Sequence, residues 1–252
     1  MRHPVPTDTL LASLYAEAVL PCMAELLALD PKAAEVAGPK PWQVALEIPG
    51  RKPVHLAYAE GKLVGAESAS RPLRLRFRSA RHFARTCAGE ARWPPMPVGG
   101  WSQIPRVRRF SALTKHLNHV MEIGTSSGEV RAQLLFGSLL VRALAVLCLG
   151  QPEAAALIRR FGSTTFAFAI GGQPLSWFKS SPSHSHYEGF AGAPPAPTTL
   201  TIEFESMDVA RSAAEGRLDQ FAAIGLGQVK VRGLTPLGDA LDILLDRIDH
   251  YL

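Results

Sequence analysis

The chain repeats itself. Leu73–Gly100, LRLRFRSARHFARTCAGEARWPPMPVGG, returns without a gap as LTIEFESMDVARSAAEGRLDQFAAIGLG at Leu200–Gly227. Leu73, Leu75, Phe77, Ser79, Gly89 and Gly100 fall on Leu200, Ile202, Phe204, Ser206, Gly216 and Gly227, while Arg85 and Arg211 stand one position apart. The same register carries Phe110, Leu117 and Met121 onto Leu237, Leu244 and Ile248. Upstream, LLALDPKAAEV at Leu26–Val36 answers VLCLGQPEAAAL at Val146–Leu157, and VALEIPG at Val44–Gly50 answers FAFAIGG at Phe166–Gly172. A strand, a helix, a glycine turn and a closing helix recurring in one order predict two copies of one domain. Residues 1–123 form the first and 129–252 the second, joined at Gly124-Thr125-Ser126-Ser127-Gly128. This fits the usual domain size of about 100–200 residues. Solenoid periods are roughly 20–50 residues, so each copy is expected to own its core.

With 47% hydrophobic and 19% charged residues, the chain is excluded from the disordered and fibrous classes. Met1-Arg2-His3-Pro4 does not open an apolar signal segment. The most membrane-like stretch, Leu134–Leu149, is broken by Arg142 and falls short of the roughly 20 residues that a span needs, so it reads as a buried core helix rather than a transmembrane one. Cys22, Cys87 and Cys148 are odd in number and lie in apolar surroundings, as packed, reduced thiols would. A soluble cytoplasmic protein is the expectation. The net charge of +5 is unevenly divided: Lys+Arg against Asp+Glu stand 17 to 10 up to Glu122 and 10 to 12 after it. No nucleic-acid-binding motif accompanies the basic half, and no nucleic-acid partner is expected.

Each copy opens with an amphipathic helix, Leu10, Leu11, Leu14, Ala18 in one and Leu134, Leu135, Leu139, Ala143 in the other. Shorter helices follow Asp30-Pro31 and Gln151-Pro152, since proline suits a first helical turn. Strands are expected around Val44–Ile48, Val54–Tyr58 and Leu63–Glu67, then around Thr165–Ile170, Leu175–Lys179 and Tyr187–Phe190. The repeated strand alternates, with Leu73, Leu75, Phe77 inward in one copy and Leu200, Ile202, Phe204 in the other. Ser79 and Ser206 are N-caps, and Gly89 and Gly216 are C-terminal caps. The fold class is α+β: two tandem domains, each a mainly antiparallel five-stranded sheet covered by helices.

Ser206–Val231 resembles the sterol carrier protein 2 family. The motif is a strand, an aspartate-initiated helix, G-x-L-D, a small apolar stretch, and G-x-[VIL]-x-[VIL]-x-G before a closing helix. Here it stands as Asp208, Gly216-Arg217-Leu218-Asp219, Phe221-Ala222-Ala223-Ile224 and Gly227-Gln228-Val229-Lys230-Val231-Arg232-Gly233. Copy one departs from it, with Ala91-Arg92 for Leu-Asp and Trp93-Pro94-Pro95-Met96-Pro97 in the apolar stretch. Leu234 stands in copy two where many relatives carry an aspartate. The resemblance implies an apolar tunnel between sheet and helices that binds a sterol, fatty acid or acyl-CoA-like lipid. In copy two it would be lined by Phe166, Phe168, Trp177, Ile202, Phe204, Phe221, Ala223, Ile224 and Leu244. Ala222, Ala223, Gly225 and Gly227 would leave the space, although small residues serve close packing as often.

Signals for chemistry are sparse. His184-Ser185-His186-Tyr187 is the local histidine cluster, yet only Glu188 follows at usable spacing, so no metal is expected there. His116 and His119 continue a polar helix face. Ser126-Ser127-Gly128 and Gly171-Gly172 lack the ending of a phosphate loop. The expectation is therefore a non-enzymatic lipid carrier without a cofactor. The alternative is an interaction scaffold with a closed cavity that docks a lipid- or quinone-biosynthesis enzyme. The outward Arg74, Arg76 and Arg78 became Thr201, Glu203 and Glu205 in copy two, so the halves would pair by charge, or the two strand faces would be separately solvated, leaving the arginines free to meet an acidic protein or an anionic lipid surface.

Overall fold

A computed structural model describes residues 7–65, 72–99, 104–124, 127–181, 186–195 and 197–252. It divides into two compact units, Pro6–Glu122 and Ile123–Leu252. Unit one runs α1 (Asp8–Leu14), a π-helical turn (Tyr15–Val19), α2 (Cys22–Leu29), α3 (Pro31–Ala37), β1 (Trp42–Glu47), β2 (Val54–Ala59), β3 (Lys62–Gly65), β4 (Leu73–Arg76), α4 (Ala80–Cys87), β5 (Met96–Val98) and α5 (Ile104–Met121). Unit two runs α6 (Gly128–Leu134), a π turn (Leu135–Leu139), α7 (Leu140–Gly150), α8 (Pro152–Arg159), β6 (Thr164–Ile170), β7 (Gln173–Ser181), β8 (His186–Ala191), β9 (Leu200–Phe204), α9 (Met207–Ala214), α10 (Gln220–Gly225), β10 (Val229–Gly233) and α11 (Thr235–Tyr251).

The sheets share one topology. Strand orders are β3-β2-β1-β4-β5 and β8-β7-β6-β9-β10, with one parallel pairing in each, β1 with β4 and β6 with β9. The sheets are thus mixed, the remaining pairings being antiparallel. Val44 pairs with Leu73 and Leu46 with Leu75, as Phe166 pairs with Leu200 and Phe168 with Ile202. The repeated strand therefore holds the same ladder position in both units.

The following helix is capped alike. The Ser79 hydroxyl accepts from the His82 N–H at 3.1 Å and that of Ser206 from the Val209 N–H at 3.4 Å. At the far end Gly89 and Gly216 take φ of 78° and 67°. The Glu90 N–H then reaches the Arg85 carbonyl at 2.8 Å, and the Arg217 N–H that of Ser212 at 2.9 Å, closing two Schellman motifs.

Beyond these glycines the constant spacing ends. Met96 pairs with Arg76 where Lys230 pairs with Glu203, so α10 is an insertion without a counterpart in unit one. The match of Gly100 to Gly227 fails for this reason, and Gly100 itself lies outside the described residues. The closing helices are also displaced from the expected register by one turn. Buried Phe110, Leu113, Leu117 and Val120 correspond to Leu241, Leu244, Ile248 and Tyr251, not to positions four residues earlier. Polar partners confirm it. His116 Nε2 meets Asp30 Oδ2 at 2.6 Å, and Arg247 donates to Gln151 Oε1 at 2.9 Å, Asp30 and Gln151 being the N-caps of α3 and α8. Asn118 donates to the Cys87 carbonyl at 2.7 Å. In unit two the corresponding Asp249 cannot donate to the carbonyl of Ala214, and Arg131 does so instead. The opening helices show the same slip: their π turns start at Tyr15 and Leu135, so Leu14, rather than Leu10, corresponds to Leu134.

The segments Asp8–Leu29 and Gly128–Gly150 are each long and apolar enough to cross a membrane. The second is longer than Leu134–Leu149 because the π turn carries the helix through without a break. Most of each is buried within the protein, as in the core helix of a globular domain.

Candidate apolar ligand site

The inner face of the second sheet is aromatic. Phe166, Phe168 and Phe204 are buried there, with ring centroids of Phe166 and Phe168 4.7 Å apart. Phe136, from the π turn above, closes on them at 5.2 Å from Phe168 and 4.6 Å from Phe204. Ser176, fully buried on β7, donates its hydroxyl to the Phe136 carbonyl and ties the turn to the sheet. Phe136 was not foreseen. Its one signal was an aromatic residue beside Gly137 and Ser138 in an aliphatic helix.

The helix does not lie evenly over the sheet. At β8 a Cβ on Gly189 would stand 2.2 Å from the Val141 carbonyl oxygen, so backbone rests on backbone. The corresponding glycine of unit one, Gly65, has open space. At the other margin of unit two, Ile202 is only half-buried and its ladder partner Val231 is 37% exposed. Leu75, the unit-one counterpart of Ile202, is 1% exposed. α10 lies beside this margin with Asp219 as its N-cap, the carboxylate accepting from the Ala222 N–H at 3.0 Å. It buries Ala223 and leaves Ile224 48% and Phe221 90% exposed. α11 covers β9 from the same side as Phe136, Gly238 standing against the Leu200 side chain and Leu244 fully buried.

Of the residues expected to line a tunnel, Phe166, Phe168, Ile202 and Phe204 share one face. Ala223 and Leu244 are buried on the helices, whereas Phe221 and Ile224 point outward. Trp177 is misplaced. Phe166 pairs with Phe178 and Ala167 with Trp177, so the indole projects from the opposite face, where it stacks on Phe190 at 4.6 Å. Alternate residues on a strand face opposite ways, and the cross-strand register puts Phe178 of β7, not Trp177, on the face of Phe166.

Buried ionisable groups here stay neutral. Burial pushes the Cys148 thiol up to about 12 and raises the Tyr187 phenol. Arg131 is the exception: burial lowers its pKa, while the carboxylates of Asp249 and Glu215 work against that shift. His184 lies outside the described residues, and His186 meets Glu188 at 2.8 Å on the surface. Among the described residues, no three His, Cys, Asp or Glu side chains gather as a metal site would require.

Of the outward charges of the repeated strands, Arg74, Arg76 and Glu203 are paired within their own sheets. Arg74 and Arg76 share Glu47 at 3.3 and 3.0 Å, holding that carboxyl below its usual range chiefly through the Arg76 hydrogen bond. Glu203 pairs with Arg232 at 3.0 Å.

No family model matches the chain, and no curated protein matches it significantly. Among solved structures it is similar to a double mutant of the sec-alkyl sulfatase PisA1 at a TM-score of 0.33 and 16% identity, over 54% of this chain and 20% of that one. The stereoselective inverting sec-alkylsulfatase Pisa1 from Pseudomonas sp. gives 0.31 and 12%, over 65% and 23%. Apo sterol carrier protein 2 from Yarrowia lipolytica gives 0.28 and 15%, over 41% of this chain and 92% of that one. The chain thus spans about a fifth of the length of the sulfatases.

Proposed function

We propose that this protein is a non-enzymatic, cytoplasmic lipid carrier built from two duplicated domains of the sterol carrier protein 2 type, and that unit two holds the ligand. The ligand would be a sterol, fatty acid or acyl-CoA-like molecule lying against Phe136, Phe168 and Phe204 and entering past Ile202 and Val231. One observation carries this reading: the apolar margin of β9 and β10 is left partly open in unit two, where the corresponding Leu75 of unit one is sealed. Apolar side chains left in water forgo about 25 cal/mol per Å² that burial under a ligand would recover. The motif Gly216-Arg217-Leu218-Asp219 to Gly233 supports the same assignment by resemblance.

The alternative, an interaction scaffold, is favoured for unit one by Trp93 and Met96, which stand exposed on the segment corresponding to the ligand-facing edge. Two measurements separate the readings. Solvent extraction of the purified protein followed by mass spectrometry should release a lipid, and a fluorescent fatty acid should bind. Ile202→Trp should abolish that binding with the fold retained. A protein that extracts clean and takes up no probe is not a carrier.

A further inference from the structure

We propose that the outer edge of the first sheet, where Arg74, Arg76 and Arg78 stand beside Trp93 and Met96, docks onto the surface of an anionic phospholipid bilayer. The fold does not need these arginines. Through the matched strand and helix, Arg74, Arg76, Arg78, Arg81 and Arg85 correspond to Thr201, Glu203, Glu205, Asp208 and Ser212 in unit two. The same backbone is built there with the charge removed or reversed, so the topology does not dictate a basic strand here, and the pairing with Glu47 leaves positive charge over.

The patch joins charge to apolar surface. Arg74 lies opposite Val98 and Arg76 opposite Met96 in an antiparallel ladder, and directly opposed residues project to one face. Trp93 is 57% exposed and Met96 61%. His82 holds the Trp93 segment in place: its Nδ1 accepts the Arg78 N–H at 3.1 Å, which leaves Nε2–H to donate to the Trp93 carbonyl at 2.9 Å. Arg92 lies over the indole at 5.8 Å. Glu47, the one carboxylate that Arg74 and Arg76 share, offsets only one of their two charges.

An anionic bilayer matches both halves of this surface. Phosphate and carboxylate headgroups meet the guanidinium groups, and the indole and thioether enter the headgroup–acyl boundary. A duplex nucleic acid would satisfy the arginines but leave Trp93 and Met96 without an apolar partner, and a single strand needs an open aromatic face where Arg92 already lies over the Trp93 ring. An acidic protein would satisfy the charge but would need an apolar patch set within its acidic surface at Trp93 and Met96, whereas a bilayer presents headgroup charge and apolar boundary together along the whole edge.

The test is flotation of the full chain with vesicles of phosphatidylcholine alone and of phosphatidylcholine with phosphatidylserine. The protein should float only with the second, and less as salt is raised. Each arginine near an anionic surface contributes about fivefold, so the triple Arg74→Gln, Arg76→Gln, Arg78→Gln variant should weaken binding on the order of a hundredfold. The triple Arg→Lys variant should keep binding, which separates charge from any loss of fold. Trp93→Ala should weaken it several-fold, and Lys230→Gln in unit two should change nothing. Equal flotation with neutral vesicles overturns the proposal, as does an unaffected triple-Gln variant. Displacement of the vesicles by a single-stranded oligonucleotide, with Trp93→Ala silent, would assign the patch to nucleic acid and likewise overturn it. The outcome is independent of fatty-acid uptake by unit two, which is read with the soluble probe.

Discussion

Gly189→Ala tests how the long helix of unit two is seated. Gly189 does not adopt positive φ, so its substitution adds no backbone strain, and the whole effect comes from one methyl group. That methyl would lie 2.2 Å from the Val141 carbonyl oxygen, 2.3 Å from its carbon and 2.6 Å from the Arg142 nitrogen. Ordinary contact requires the helix to retreat by roughly an ångström, and the obstacle is helical backbone, which no rotamer change relieves. Overpacking a core costs about 1–3 kcal/mol, and the upper end applies when backbone must move. At about 4 °C per kcal/mol for a unit of roughly 130 residues, thermal unfolding of unit two should fall by about 10 °C. Gly65→Ala is the internal control, since it fills open space at the same ladder position in unit one and should leave its unfolding nearly unchanged. Followed by circular dichroism or calorimetry, equal midpoints for Gly189→Ala and wild type would refute the close seating of α7 on β8.

Removing the Arg131 guanidinium with Arg131→Leu deprives the Ala214 carbonyl of a charge-assisted partner and should cost about 1.5–3 kcal/mol in urea unfolding. A loss below 0.5 kcal/mol, on the same order-of-magnitude scale, would show that water replaces it. Burial pushes the thiols of Cys87 and Cys148 from 9.0 up to about 12. Both should therefore resist iodoacetamide in the folded protein at mildly alkaline pH and react once urea is added, as mass spectrometry would read. The unfolded thiols ionise first, so the stabilisation from their burial is complete below pH 9 and lost between 9 and about 12. Unfolding midpoints that rise over that window would contradict the sign. Phe136→Ala should cost about 3–5 kcal/mol, with loss of fatty-acid binding if folded protein is recovered; binding at wild-type affinity would place the ligand elsewhere.

The strand-to-helix repeat was legible because strands and caps tolerate no slippage. A one-residue shift would turn Leu73, Leu75 and Phe77 to the wrong face, and Ser79 and Gly89 fix both ends of the helix. Helices are more forgiving. Phe110, Leu113 and Leu117 recur at nearly one turn, so sliding by four residues preserves the apolar face, and both helical matches slipped by that amount. For the closing helices, polar partners such as His116 with Asp30 and Arg247 with Gln151 resolve the ambiguity, being contacts distant in sequence, and for the opening helices the start of each π turn does so. α10 was visible as a motif, but not as an insertion. For the candidate site, Phe166, Phe168, Ile202 and Phe204 followed from strand alternation. Phe136 did not, because a π turn rotates a side chain off the period by which a helix is read.

That turn also makes chain length a property under constraint. Each opening helix carries one residue more than a regular α-helix would need, at the same place in both units, with Leu20 and Leu140 donating five residues back to Tyr15 and Leu135. Deleting a single residue from Leu135–Leu139 would restore an ideal helical ladder and still be ruinous. It would rotate everything downstream by about 100° and lift Val141 away from Gly189. In laboratory evolution the segment should therefore accept exchanges of one aliphatic residue for another while rejecting every single-codon deletion, the reverse of what a surface loop tolerates.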